Sequence, residues 1–168
     1  EGRTVTLLAN QHQVLALFAV ADQLRAQAAQ AVEELQALGL HTVMLSGDHQ
    51  TTADAIAHQA GLSQARGNLL PEDKRDASRR LQHSHGATAM VGDGINDAPA
   101  LASADMGIAM GGAGTDIAME AADVVVMNDN LRRVPEAIRL SRHTHEVLWQ
   151  NIALALGIKF VVFVLALM

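Results

Sequence analysis

Two aspartates and an asparagine crowd one short run, Gly92-Asp93-Gly94-Ile95-Asn96-Asp97. Asp93 and Asp97 offer hard oxygen ligands suited to Mg²⁺, an ion that keeps several waters and bridges to phosphate. The glycines let the backbone approach an anion closely, and a helix beginning after the run offers free N–H groups. The run follows an apolar stretch, residues 87–91, that reads as a strand. The carboxylates therefore sit at the C-terminal edge of a parallel sheet, where α/β folds bind ligands. A plain turn with acidic caps is the bland alternative, and it leaves two crowded carboxylates without a cation.

Two further places could serve the same chemistry. Ser46-Gly47-Asp48 also follows a strand-like stretch; the hydroxyl can donate to a phosphoryl oxygen, and Asp48 can meet a ribose or a basic partner. The same three residues also make an ordinary turn and helix N-cap. Lys74, in Pro71-Glu72-Asp73-Lys74, opens a helix between the two loops, where a solvated lysine is the plain alternative. A hydroxyl, a lysine and magnesium carboxylates are what phosphoryl transfer requires, namely positioning and charge stabilisation.

These groups need a frame. Residues 4–9 and 14–20 read as strands joined by the polar turn Asn10-Gln11-His12-Gln13. Residues 24–38 are rich in Ala, Leu, Gln and Glu, with Gly39 placed as a C-cap, and predict a helix. Residues 41–45 predict a strand. Residues 51–60 predict a helix closed by Gly61, and residues 71–83 one with Pro71 in its first turn. Residues 106–110 and 123–127 again read as strands. Short apolar strands alternating with helices predict an α/β fold, a doubly wound parallel sheet covered on both faces.

The composition agrees. The chain has 168 residues, 49% hydrophobic and 18% charged, which excludes a disordered chain and allows one well-packed core. Aromatics are only 2%, so aliphatic side chains, with Met90, Met106, Met110, Met119 and Met127 among them, must fill the core. A net charge of -6 without an arginine-rich, aromatic-laced stripe argues against nucleic acid as a partner. There is no cysteine, hence no disulfide and no thiolate metal site. The beginning, Glu1-Gly2-Arg3, carries no apolar signal-peptide core. Two of the histidine pairs, His83 with His85 and His143 with His145, are spaced two apart and so do not share a helix face; they read as solvated or capping residues.

At the other end, residues 131–150 predict a helix, and in residues 151–168 only Asn151 and Lys159 are strongly polar. At ~1.5 Å per residue that last stretch spans roughly 27 Å, close to a bilayer's hydrocarbon thickness. Trp149 stands where an interfacial anchor belongs. Arg132, Arg133, Arg139 and Arg142 before it place the globular part on the cytoplasmic side. A buried helix of a soluble protein is the alternative.

The run from Met90 to Leu101, Met90-Val91-Gly92-Asp93-Gly94-Ile95-Asn96-Asp97-Ala98-Pro99-Ala100-Leu101, resembles the hinge-and-magnesium motif of P-type ATPases, within the haloacid-dehalogenase-like superfamily. Gly114-Thr115-Asp116-Ile117-Ala118 is similar to the segment downstream of that motif in metal-transporting members. Ser46-Gly47-Asp48 resembles the family's Thr-Gly-Asp nucleotide loop, and Asp22-Gln23-Leu24-Arg25 its Asp-x-x-Arg element. Pro71 to Lys74 resembles the segment with the phosphate-contacting lysine. Residues 151–159, with Lys159 inside the apolar span, resemble the zinc, cadmium and lead branch rather than the copper branch. A lysine in a span marks function by default, with a snorkelling side chain as the alternative.

The resemblance implies a haloacid-dehalogenase-like sheet followed by one transmembrane helix. Residues 1–21 would be the final strands of a nucleotide-binding domain with its hinge, 22–144 a phosphorylation domain, and 145–168 the membrane helix. It implies ATP and Mg²⁺ as cofactors, with Ser46, Gly47, Asp48, Lys74 and Asn96 around nucleotide and phosphate and Asp93 and Asp97 toward the metal. The partners implied are a transported Zn²⁺, Cd²⁺ or Pb²⁺, the lipid bilayer of the cell membrane, and the remaining domains of the pump. The family's phosphorylated Asp, in Asp-Lys-Thr-Gly-Thr, is absent from these 168 residues. Asp22 is rejected as a substitute because Leu24, two residues on, is neither an acid nor a hydroxyl. The chain alone is therefore expected to be inactive. A soluble phosphatase of the same superfamily, a copper-branch pump, and a non-catalytic nucleotide- or partner-binding module are the rival readings.

Overall fold

A computed structural model describes residues 4–10, 13–20, 24–93, 96–111, 120–128 and 130–167. The chain divides into two compact units, Glu1–Arg132 and Arg133–Met168.

The first unit begins with an antiparallel hairpin, β1 (Thr4–Ala9) and β2 (Val14–Val20), in register from Thr4 opposite Val20 to Leu8 opposite Ala16, with a register shift before Ala9 pairs with Val14. Its turn is closed by Asn10: the Gln13 N–H donates to the Asn10 side chain at 2.8 Å, and Asn10 N–H returns to Gln13 O at 3.0 Å. Leu7 and Leu8 are neighbours on β1, and Leu17 and Phe18 on β2, so they point to opposite faces, and all four are exposed.

Helix α1 (Ala28–Ala37) starts later than the composition of residues 24–38 suggests. The residue before it, Gln27, makes no side-chain cap. Gly39 ends it at φ +79, a left-handed conformation that glycine takes without a Cβ penalty. Strand β3 (Val43–Leu45), α2 (Gln50–Ala60) and β4 (Gln64–Arg66) then form a parallel pair with its crossover helix. β4 is a strand that three mixed residues, Gln64-Ala65-Arg66, do not announce. Helix α3 (Pro71–His85) leads to β5 (Ala89–Gly92), α4 (Ala98–Ser103), β6 (Met106–Met110) and β7 (Val124–Val126), the last three strands making a parallel sheet in the order β5-β6-β7. Among the described residues the parallel strands thus form two hydrogen-bonded groups, β3-β4 and β5-β6-β7.

The core is built from small side chains. Ala53, Ala57 and Ala60 recur at helical spacing on α2, with Ala77 on α3 and Ala100 on α4, all buried. Small residues let helices lie close on the strands. At Gly107 on β6 the approach is close, since a Cβ there would come within 2.8 Å of Leu101 O. Two of the methionines expected in the core are exposed instead: Met106, the first residue of β6, and Met127, one residue past the end of edge strand β7. Strand ends have neighbours on one side only, which is why apolar type there did not predict burial. Met119 lies outside the described residues.

The second unit is one uninterrupted helix, α5 (Arg133–Leu167). Its 35 residues rise about 52 Å. The predicted helix over 131–150 and the apolar stretch after it are thus a single element. Pro135 falls in its first turn, where no intrahelical bond is lost. An 18-residue window reaches a mean hydropathy of 2.0, so α5 is long and apolar enough to cross a membrane. Trp149 Nε1 donates to His145 Nε2 at 2.9 Å on this helix, and Lys159 lies further along it, inside the apolar stretch.

Candidate phosphoryl-transfer site

Ser46 leaves the end of β3. Its hydroxyl donates to Asp48 Oδ2 at 2.8 Å and accepts the Asp48 N–H at 3.1 Å, so the Ser-Gly-Asp turn closes on itself. The turn is strapped to the segment after β4. Ser46 N–H donates to Arg66 O at 2.8 Å, Leu69 N–H to Ser46 O at 3.0 Å, and Asn68 N–H to Asp48 O at 2.6 Å. Gly47 lies where a Cβ would stand 3.4 Å from Leu69 O. His49 then caps α2, its ring nitrogen accepting the Thr51 N–H.

Lys74 sits in the first turn of α3. The turn is started by Pro71 and held by Asp73, whose Oδ2 accepts the Leu70 N–H at 3.0 Å. The Lys74 ammonium crosses to the loop after β5 and donates to Asp97 Oδ1 at 2.7 Å. The two side chains are only 13% and 15% exposed, so the pair is largely shielded from water. Asp97 is the residue before α4, and its carbonyl accepts the Ala100 and Leu101 N–H groups. Its carboxylate makes no cap bond and faces Lys74 instead. Gly92 makes room for this: a Cβ there would stand 2.8 Å from Asp97 Oδ2 and 3.0 Å from Asp97 Cβ. Gly92 is required by the close approach of Asp97.

Asp93 follows β5 directly and is exposed, as is Asn96. Lys74 and Asp97 are brought into contact, and Ser46, Gly47 and Asp48 lie on the loop laced to the segment that leads into the Lys74 helix. Lys159 belongs to the other unit. Asp22, Gly94, Ile95 and residues 114–118 lie outside the described residues. Among the described residues no three His, Cys, Asp or Glu side chains converge as a metal cage. Mg²⁺ needs none, because one or two carboxylates with water and phosphate oxygens suffice.

Two residues that chemistry-bearing patterns do not single out hold the site together. Asn68 takes φ 56, a left-handed conformation unusual for a residue with a side chain, and Gln50 ties α2 to the segment after β4. The Gly67-Asn68 pair is a turn signal in the sequence. Gln50 has no such signature.

A family model described as haloacid dehalogenase-like hydrolase matches residues 1–105, and a second of the same description matches residues 74–138. The chain belongs to the haloacid dehalogenase-like hydrolase family. Within it, this chain is 46% identical to the probable cadmium-transporting ATPase of Listeria monocytogenes over 168 residues, covering 99% of the chain and 24% of that protein. It is 45% identical to the zinc-transporting ATPase of Bacillus subtilis (strain 168), covering 94% of the chain and 24% of the relative. A crystal structure of a zinc-transporting PIB-type ATPase in its E2.Pi state superposes with a TM-score of 0.86 at 48% identity, over 99% of this chain and 27% of that one. This member of the family spans about a quarter of the length of the curated relatives it matches. It corresponds to the phosphorylation-domain region of such pumps.

Proposed function

We propose that the chain is the phosphorylation domain and the adjoining membrane helix of an ATP-driven heavy-metal pump, with Zn²⁺, Cd²⁺ or Pb²⁺ as its cargo. The observation that carries this reading is the shielded Lys74–Asp97 pair, on the loop that follows a parallel strand and its exposed Asp93. Lys74 brings a fixed positive charge toward a phosphoryl group, and Asp97 sets where that charge stands. Ser46 donates its hydroxyl proton to a phosphoryl oxygen after turning it away from Asp48, to which it now points. Asn96 hydrogen-bonds phosphate, and Gly47 and Asp48 line the nucleotide side. Magnesium, held by Asp93 with Asp97 beside it, supplies neutralisation of phosphoryl charge when bound.

In this reading residues 1–21 complete a nucleotide-binding domain, residues 22–144 form the phosphorylation domain, and residues 145–168, which α5 follows as far as Leu167, lie in the cell membrane. The basic residues Arg132, Arg133, Arg139 and Arg142 keep the globular part cytoplasmic. The acceptor aspartate and the cargo's other ligands come from the rest of the pump. Phosphoryl gain and loss drive the rearrangement that moves the cation. Lys159 sets the electrostatics of the cargo path.

The test is Asp93→Asn in the full-length pump, with phosphoenzyme and metal-stimulated ATP hydrolysis measured against magnesium. Loss of such an electrostatic contact is worth about a hundredfold or more in turnover. Near-normal turnover at low magnesium would refute the assignment.

A further inference from the structure

Ser46 and Lys74 stand on separate elements, yet two stretches of backbone between them are pressed together. Residues 66–69 lie against residues 46–50 through the Ser46–Arg66, Leu69–Ser46 and Asn68–Asp48 backbone bonds. At Gly67 there is no room for a side chain: a Cβ would stand 2.6 Å from Gln50 Cα and 2.7 Å from Gln50 N. The next residue, Asn68, takes φ 56. From there the chain runs through Leu70, whose carbonyl accepts the Lys74 N–H at 3.0 Å, into the Lys74 helix.

One side chain rivets this junction. Gln50 Oε1 accepts the Gly67 N–H at 2.6 Å, while Gln50 Nε2 donates to Asp54 Oδ1 at 2.7 Å and to Ala65 O at 3.2 Å. The amide has a single sensible orientation, since a flip would set oxygen against two acceptors and an amide nitrogen against an N–H. Gln50 is half-buried and thus shielded enough for these bonds to matter.

We propose that Gln50 is a positioning residue for phosphoryl transfer: it clamps the segment after β4 onto the Ser46 turn, so that the Ser46 hydroxyl and the Lys74 ammonium are placed as one unit. It touches no substrate and acts through the groups it holds. The inference rests on the proposed function, in which those two groups meet the phosphoryl oxygens. Misplacement of such groups by a fraction of an ångström is costly to rate, because positioning carries much of the catalysis.

The full-length pump carrying Gln50→Ala, the near-isosteric Gln50→Glu, and Gln50→Glu with Asp54→Asn tests this, with Asp93→Asn as control. Two quantities are read: the number of sites that ATP phosphorylates, and turnover per phosphorylated site. Turnover per site is expected to fall about tenfold in both single variants, with site number retained and the ATP KM changed less than about threefold. In the double variant the new amide at position 54 donates to the new carboxylate at position 50, and at least about a threefold recovery is expected. Loss of sites at unchanged turnover per site, or a double variant no better than Gln50→Glu, overturns the proposal. A silent Gln50→Ala beside an inactive Asp93→Asn overturns this inference alone. Normal turnover by Asp93→Asn overturns the functional reading and this inference with it.

Discussion

The Lys74 ammonium donates to the Asp97 carboxylate at 2.7 Å across 23 residues of sequence, joining the first turn of α3 to the loop that follows β5. Largely shielded from solvent, each charge depends on the other. Removing one partner strands the other in a low-dielectric pocket, while removing both costs less.

Lys74→Met is therefore expected to destabilise the folded first unit by about 1–3 kcal/mol, and Asp97→Leu similarly. The double variant should lose less than the sum. Urea unfolding of the four proteins of the cycle measures the coupling. Strictly additive losses would show that the contact contributes nothing.

Gly92→Ala should act on the same pair from the other side. The added methyl would stand 2.8 Å from Asp97 Oδ2 and 3.0 Å from Asp97 Cβ, so Asp97 must move and the Lys74 contact must lengthen. A stability loss of about 1–3 kcal/mol is expected, the usual range for overpacking. In the full-length pump phosphoenzyme turnover should fall with it. An unchanged urea midpoint would mean that the loop shifts freely, contrary to the close approach of Asp97 to Gly92.

The 168-residue chain alone is expected to hydrolyse neither ATP nor small phosphate esters. Leu24, two residues after Asp22, offers neither proton nor hydroxyl where a haloacid-dehalogenase-type nucleophile needs one. Phosphate release by the purified chain is the assay. Metal-dependent release abolished by Asp22→Asn would sink this prediction.

Lys159→Ala should alter metal-stimulated turnover of the full-length pump without changing the unfolding of the first unit, because Lys159 belongs to the other. Wild-type zinc or cadmium transport by this variant would leave Lys159 as a snorkelling side chain. A pump that responds only to monovalent copper or silver would overturn the choice of cargo and leave the family untouched.

Much of the frame was legible because its signals are local. β1, β2 and β6 begin and end where their apolar runs do, and Pro71 starts α3 as its fixed φ dictates. β4 was not legible: Gln64-Ala65-Arg66 is a strand only because Val43-Met44-Leu45 pairs beside it. The same holds at the site. Two carboxylates and a lysine could be named from their types and surroundings, but not that Lys74 takes one oxygen of Asp97, a contact that exists only once α3 and the β5 loop are folded together. Gln50 was invisible for the same reason, since its three hydrogen-bond partners at Gly67, Asp54 and Ala65 are set by tertiary contact, and no pattern along the chain marks it.

The β1–β2 hairpin has a colloidal consequence. With Leu7 58% and Leu17 62% exposed, and apolar neighbours turned to the opposite face, both surfaces of the two-stranded ribbon are wet and sticky, and among the described residues no further strand pairs with its outer edges. Ribbons of this kind recruit further strands and stack on one another, so a solution of the chain by itself should self-associate as its concentration rises, independently of the apolar helix α5. Light scattering of residues 1–132 would report it, and Leu7→Lys together with Leu17→Glu should suppress it while leaving the Lys74–Asp97 pair intact.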